Sequence, residues 1–236
     1  MAVRKEVQLY DTYYGEFYAY NQSILFGITV ADTYHAFYQT SGDTLTQGNI
    51  AGFTFYAGTL TDANITSEAS GTGSKLRIVC SAAHSLTTGM LVVIGNANNA
   101  GHNKPTRITT DGTNPTTEFL CDDITYVDGA GASAATVARP AYLQASIGSA
   151  GVYRCSVNIN GTASNINKAY KFELNKNITA LDNIATERNT TNTLASMSAS
   201  GLATIADGDK IWLSAKNATD TTDYTVKNMN INLNRV

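Results

Sequence analysis

Short runs in which apolar and polar residues alternate, divided by Gly, Asn, Asp and Ser, extend from one end of the chain to the other, and helical spacing is almost absent. A period of two is that of strands with one buried face. The clearest predicted strands cover residues 24–30, 34–39, 53–60, 76–80, 91–94, 152–159, 169–174, 211–215 and 224–233. In SAGVYRCSVNING, Tyr153, Cys155, Val157 and Ile159 alternate with Arg154, Ser156 and Asn158, which predicts a half-buried antiparallel strand. Asn160-Gly161 is expected to close it with a hairpin turn. The next run repeats the device, with Tyr170, Phe172 and Leu174 set against Lys171, Glu173 and Asn175. In YTVKNMNINLNRV the phase holds over Tyr224 and Val226 and restarts at Met229, Ile231 and Leu233, so a bulge or a change of packing partner along a long strand is expected across Lys227 and Asn228. Many such strands without crossover helices predict an all-β fold, an antiparallel sandwich or jelly roll rather than an α/β fold.

A change of texture divides the chain. Residues 69–75 (ASGTGSK) and 128–140 (DGAGASAATVARP) are small and Gly/Ala-rich, and they bracket a stretch that holds several cations and two of the three cysteines. They read as linkers carrying an inserted small β-domain, residues 71–140, with 1–70 and 141–236 forming one discontinuous jelly-roll domain.

Composition narrows the function classes. In 236 residues, 16 Lys+Arg stand against 19 Asp+Glu, a net charge of −3, and charged residues make up 15% of the chain, below the usual ~25%. This is no electrostatic footprint for nucleic acid. The longest apolar run, 24–31, falls short of the roughly 18 residues of a membrane-spanning helix, so no membrane partner is expected. The start of the chain has no apolar stretch of secretory type. Most of the aromatic side chains, eight of the 13 Tyr and five of the seven Phe, lie between Met1 and Leu60. The segment from Glu6 to Ser74 contains seven acidic residues and no Lys or Arg. Such a segment packs against its own sheet or against a neighbouring subunit. Both alternatives stay open for the candidate core or subunit-contact residues Tyr14, Phe17, Tyr34, Phe37, Tyr153, Phe172, Trp212 and Tyr224.

Three stretches carry a resemblance. GVYRCSVNING, the segment SMSASGLATIADGDKIWLSAKN with Leu202, Gly208, Asp209 and Leu213, and the closing VKNMNINLNRV resemble the tumour-necrosis-factor-like jelly roll shared with complement globular heads. There Gly208 would permit a tight hairpin, Asp209 would bond the turn backbone and Trp212 or its neighbours would enter the core. The amide-rich texture, together with Ile28, Thr29, Val30, Ala31, Asp32, Thr33 and Tyr34, is similar to the version found in tailed-phage virion proteins. Residues 84–92, from His84 through Leu86 and Gly89 to Val92, resemble the opening motif of a small phage β-module, with Ser85 where that motif has Gly. The resemblance implies a homotrimeric virion structural protein, made in the bacterial cytoplasm, with the major capsid protein or neighbouring virion proteins as partners. A capsid decoration or head-fibre role leads; a tail-fibre or tail-tip protein binding a host surface glycan is the alternative.

Chemistry-bearing constellations are scarce. His35, His84 and His102 have no metal-ligand spacing; Asp122, Asp123 and Asp128 lack the spacing of a calcium loop and read as a solvated acidic loop. Cys80, Cys121 and Cys155 form no paired framework and read as buried thiols. No nucleophile elbow, phosphate loop or nominated carboxylate pair occurs. The expectation is a binding protein without enzymatic activity, metal or cofactor.

Overall fold

A computed structural model describes residues 13–22, 24–26, 34–39, 42–60, 65–97, 99–110, 114–128, 135–190 and 194–236, with backbone alone for 24–26 and 194. In chain order the first strands are β1 (Tyr14–Ala19), β2 (Ile24–Phe26), β3 (His35–Ala36), β4 (Thr46–Ala51), β5 (Phe53–Tyr56), β6 (Thr59–Leu60) and β7 (Ile65–Ser70). Then come β8 (Lys75–Cys80), β9 (Leu91–Gly95), β10 (Pro105–Thr110), β11 (Glu118–Thr125), β12 (Thr136–Arg139) and β13 (Tyr142–Ala145). The last six are β14 (Gly151–Ala163), β15 (Ala169–Lys176), β16 (Thr179–Asn189), β17 (Leu194–Ile205), β18 (Lys210–Asn217) and β19 (Tyr224–Arg235).

Two antiparallel sheets make the jelly roll. The first runs β17-β14-β19-β1-β4 with β2 also beside β19; the second runs β16-β15-β18-β13-β5 with β3 also beside β18. Successive strands β13–β14, β14–β15, β17–β18 and β18–β19 alternate between the two sheets, the connectivity of a jelly roll. Between the sheets lies a core that includes Phe17, Phe53, Leu143, Tyr153, Val157, Phe172, Leu213, Tyr224 and Ile231. The predicted alternation supplies it: Tyr153, Cys155, Val157 and Ile159 are at most 2% exposed, as are Tyr170, Phe172 and Leu174.

The third sheet, β6-β12-β9-β10-β11-β8-β7, encloses a separate apolar cluster around Leu76, Ile78, Ile94, Ile108 and Phe119. It begins ahead of the Gly/Ser-rich texture, since β7 pairs with β8. The stretch 69–75 is therefore not a linker: residues 71–74 form a hairpin turn between the end of β7 and the start of β8. Gly73 and Ser74 carry its positive φ angles of 70° and 60°, which reverse the chain within one short 3₁₀ turn. Likewise Thr136–Arg139, expected in a second linker, is a strand between β6 and β9. The predicted strand over 53–60 divides at Gly58 (φ 73°), its two parts joining different sheets; a Cβ there would stand 2.5 Å from Ala141 N and Arg139 O. Within the predicted strand 34–39, His35–Ala36 pairs; residues 28–33 of the phage-like segment lie outside the described residues.

Strand β9 shows why LVVIG is a continuous apolar run: both of its faces are buried. Val92 and Ile94 enter the third sheet's own cluster, while Leu91 and Val93 pack with Trp212, Ala36 and Ala138 in a cluster that joins this sheet to the jelly roll.

Two local expectations change. Asn160-Gly161 makes no turn, because β14 continues to Ala163. Asn160 pairs with Asn228 and Gly161 with Val226, which leaves Lys227 as the extra residue of a bulge, where the phase slip in the sequence lies. Gly161 is required by the close approach: a Cβ would meet Thr225 O at 2.2 Å and Tyr224 Cε1 at 2.6 Å. The segment from Leu202 to Leu213 is not a hairpin, since β17 and β18 belong to different sheets and the turn arches across the core. Gly208 has the positive φ (82°) that the resemblance implies, and Asp209 Oδ2 accepts from Ala206 N at 2.8 Å.

Candidate binding face

The period of two that fills the core also sets what the first sheet presents on its other side. Between the buried residues of β19 stand Asn228, Asn230, Asn232 and Asn234; β14 contributes Ser156, Asn158 and Asn160. Residues opposite one another in antiparallel strands share a face. The register aligns Ser200, Ser156, Asn232 and Glu16 in one row and Ser198, Asn158, Asn230 and Tyr18 in the next. Beyond them Leu202, Arg154, Asn234 and Tyr14 form a third row.

The amides are held in place by one another. Asn232 Nδ2 donates to Asn230 Oδ1, Asn230 Nδ2 donates to Glu16 Oε1 at 2.7 Å, and Asn228 Nδ2 donates to Asn160 Oδ1 at 2.8 Å. In these three rows Glu16 and Arg154 are the two ionised groups. Tyr20, 58% exposed, lies with its ring 4.9 Å from that of Tyr18. A groove of about 500 Å³ runs between Tyr20, Asn158, Asn160, Ser196, Ser198 and Asn230. The face offers ordered donors and acceptors, flat rings and little charge.

The eight residues singled out in the sequence divide between interior and surface. Phe17, Phe37, Tyr153, Phe172 and Tyr224 are fully buried in the sandwich core, and Trp212 is fully buried in the joint to the third sheet. Tyr14 is half-buried on the amide face, and Tyr34 is half-buried with Lys216 Nζ 5.2 Å from its ring centroid. Buried hydroxyls find carbonyl partners: Tyr153 donates to Ser149 O, Tyr224 to Ala195 O at 2.9 Å, and Tyr170 to Thr222 O and Asp223 O at 3.0 and 2.9 Å. Burial pushes the Tyr170 phenol up to about 12, with Asp220 and Asp223 adding to the rise.

Other candidates have structural roles. His84 Nδ1 accepts from Leu86 N at 3.3 Å, its Nε2 faces Glu118 O at 3.2 Å and its ring meets Phe119 edge-on, so it braces the turn that contains Gly89. His102, 1% exposed, bonds Glu68 through Nδ1 at 2.6 Å and accepts from Val127 N through Nε2 at 3.1 Å. This buried pair was not visible as a spacing, because its members stand 34 positions apart on different elements. Asp122 and Asp123 form no loop: both lie in β11, where Asp122 pairs with Lys75 at 2.6 Å and Asp123 with Arg107 at 3.2 Å. The three cysteines are buried and unpaired, and burial raises the Cys155 thiol to about 12. Among the described residues no group of three or more His, Cys, Asp or Glu could hold a metal ion.

No family model and no curated protein matches the chain. Among solved structures it is similar to the TNF protein Eiger of S. frugiperda, with 10% identity and a TM-score of 0.33 over 74% of this chain and 92% of that one.

Proposed function

We propose that the protein is a non-enzymatic virion structural protein of a tailed phage, assembling as a homotrimer that decorates the capsid or builds a head fibre. The observation that carries this reading is the outer face of the β17-β14-β19-β1-β4 sheet, where rows of Asn and Ser beside Tyr14 and Tyr18 leave a broad surface with little charge. Like-charge repulsion between copies is small there, and amides can bond equally well to the amides of another copy. The phage-like motifs in the sequence supply the particle.

Light scattering tests the assembly: a trimer has three times the mass of one chain, which is 25.1 kDa, and a uniform species of single-chain mass refutes it. Introducing Ser198→Arg with Asn230→Arg should dissociate the trimer, whereas Thr54→Arg on the other sheet should leave it whole. Immunogold labelling of phage particles then tests the location, and labelling absent from heads overturns the capsid role. The groove beside Tyr20 favours a second reading, host glycan binding, since exposed rings with ordered amides suit sugar faces and hydroxyls. Glycan-array binding that Tyr20→Ala abolishes without change of mass would select it.

A further inference from the structure

Where the third sheet meets the jelly roll, a cleft of about 390 Å³ opens between Leu91 and Arg107 on one side and residues 176–179, Gly208 and Lys210 on the other. We propose that this cleft binds an oxyanion, the phosphate or carboxylate of a small polar ligand. Three of the chain's 16 cations, Arg107, Lys176 and Lys210, meet there in a protein of net charge −3. Arg107 spends part of its charge on Asp123, at 3.2 Å. The two lysines have no carboxylate partner among the described residues: Lys176 Nζ donates to Thr204 O at 3.1 Å, and Lys210 Nζ to Gly89 O at 3.4 Å while lying 5.4 Å from the Tyr142 ring centroid. The nearby Asp209 carboxylate is engaged in its own turn, accepting from Ala206 N and from Asn177 Nδ2 at 2.8 and 2.7 Å.

Burial, then the charges of Arg139 and Arg107, hold the Lys210 ammonium below its ordinary pKa. Positive charge at the cleft is therefore only partly offset by Asp123 and Asp209, and an anion would favour the charged form of Lys210 against its burial and the neighbouring arginines. Leu91 and Ile178 add apolar wall. The volume falls in the ~300–1,000 Å³ range of small-ligand sites. Since its two sides come from different sheets, a bound anion also ties the third sheet to the jelly roll.

Calorimetric titration of the full chain with inorganic phosphate, glucose 6-phosphate, glucuronate and uncharged glucose tests the proposal. Binding by the charged probes, weakened by salt, and none by glucose is expected, and the ratio of the two sugar acids tells whether phosphate or carboxylate is preferred. Arg107→Gln with Lys210→Gln should weaken binding about tenfold or more, Lys210→Arg should retain it, and Arg188→Gln, an exposed position near the other end of β16, should not affect it. In the unaltered protein the Lys210 ammonium signal should shift toward its ordinary pKa on saturation, a readout that does not depend on variants folding. Charged probes that bind no better than glucose, or a Lys210 signal that does not respond, overturn the proposal.

Discussion

Replacing Trp212 tests how the third sheet is fastened to the jelly roll. Its indole is fully buried against Leu91, Val93, Ala138 and Ala36, and Nε1 donates to Asn177 O at 2.7 Å. Trp212→Phe keeps most of the apolar contact and leaves the Asn177 carbonyl without its donor, a loss of about 1–3 kcal/mol. Trp212→Ala also opens a cavity, for about 3–5 kcal/mol in all. At ~2–4 °C per kcal/mol for a chain of this size, the midpoint should fall by roughly 2–12 °C for phenylalanine and 6–20 °C for alanine. Scanning calorimetry and urea unfolding of the three proteins measure this. Because the chain has a single tryptophan, wild-type fluorescence reports on the joint directly and should be blue-shifted and shielded from acrylamide. An alanine variant within about 0.5 kcal/mol of wild type, or freely quenched wild-type emission, would refute the packing.

Acid should weaken the fold through His35, whose pKa is lowered from 6.5 to about 4, chiefly by burial and against the opposing pull of Asp223. In the window between those values the unfolded chain binds a proton that the folded one does not, so stability falls as pH drops, by up to about 3 kcal/mol. His35→Gln should flatten that part of the pH profile in urea titrations, and an unchanged slope would count against the assignment. Gly161→Ala should destabilise by about 1–3 kcal/mol, since its Cβ would overlap Thr225 O. Gly42→Ala, with nothing within 4 Å, should be neutral or stabilise by up to about 1 kcal/mol; equal effects of the two substitutions in thermal melts would contradict the bulge geometry.

The alternating patterns determined much by themselves: a strand's apolar face is written locally, so Tyr153, Val157, Phe172 and Ile231 were legible as one face, core or subunit contact, and the phase slip at Lys227 as a bulge or a change of packing partner. Turn chemistry was less decisive. Asn160-Gly161 is a strong hairpin signal, yet pairing with both β17 and β19 carries the strand through it, since ladder bonds along two edges outweigh a local preference. The stretch ASGTGSK illustrates the same ambiguity, because small residues serve a linker and a tight hairpin alike. The candidate site lay half in view. Every second residue of KNMNINLN is Asn, but only the register brings Ser156, Ser198 and Glu16 beside them. The cationic cleft was not legible at all: Arg107, Lys176 and Lys210 are far apart in the chain, and no periodicity records a meeting between two sheets. Local alternation determined which residues are buried and which face outward. The tertiary structure decided which outward residues become neighbours, because that depends on strand order and on how the third sheet docks over Trp212.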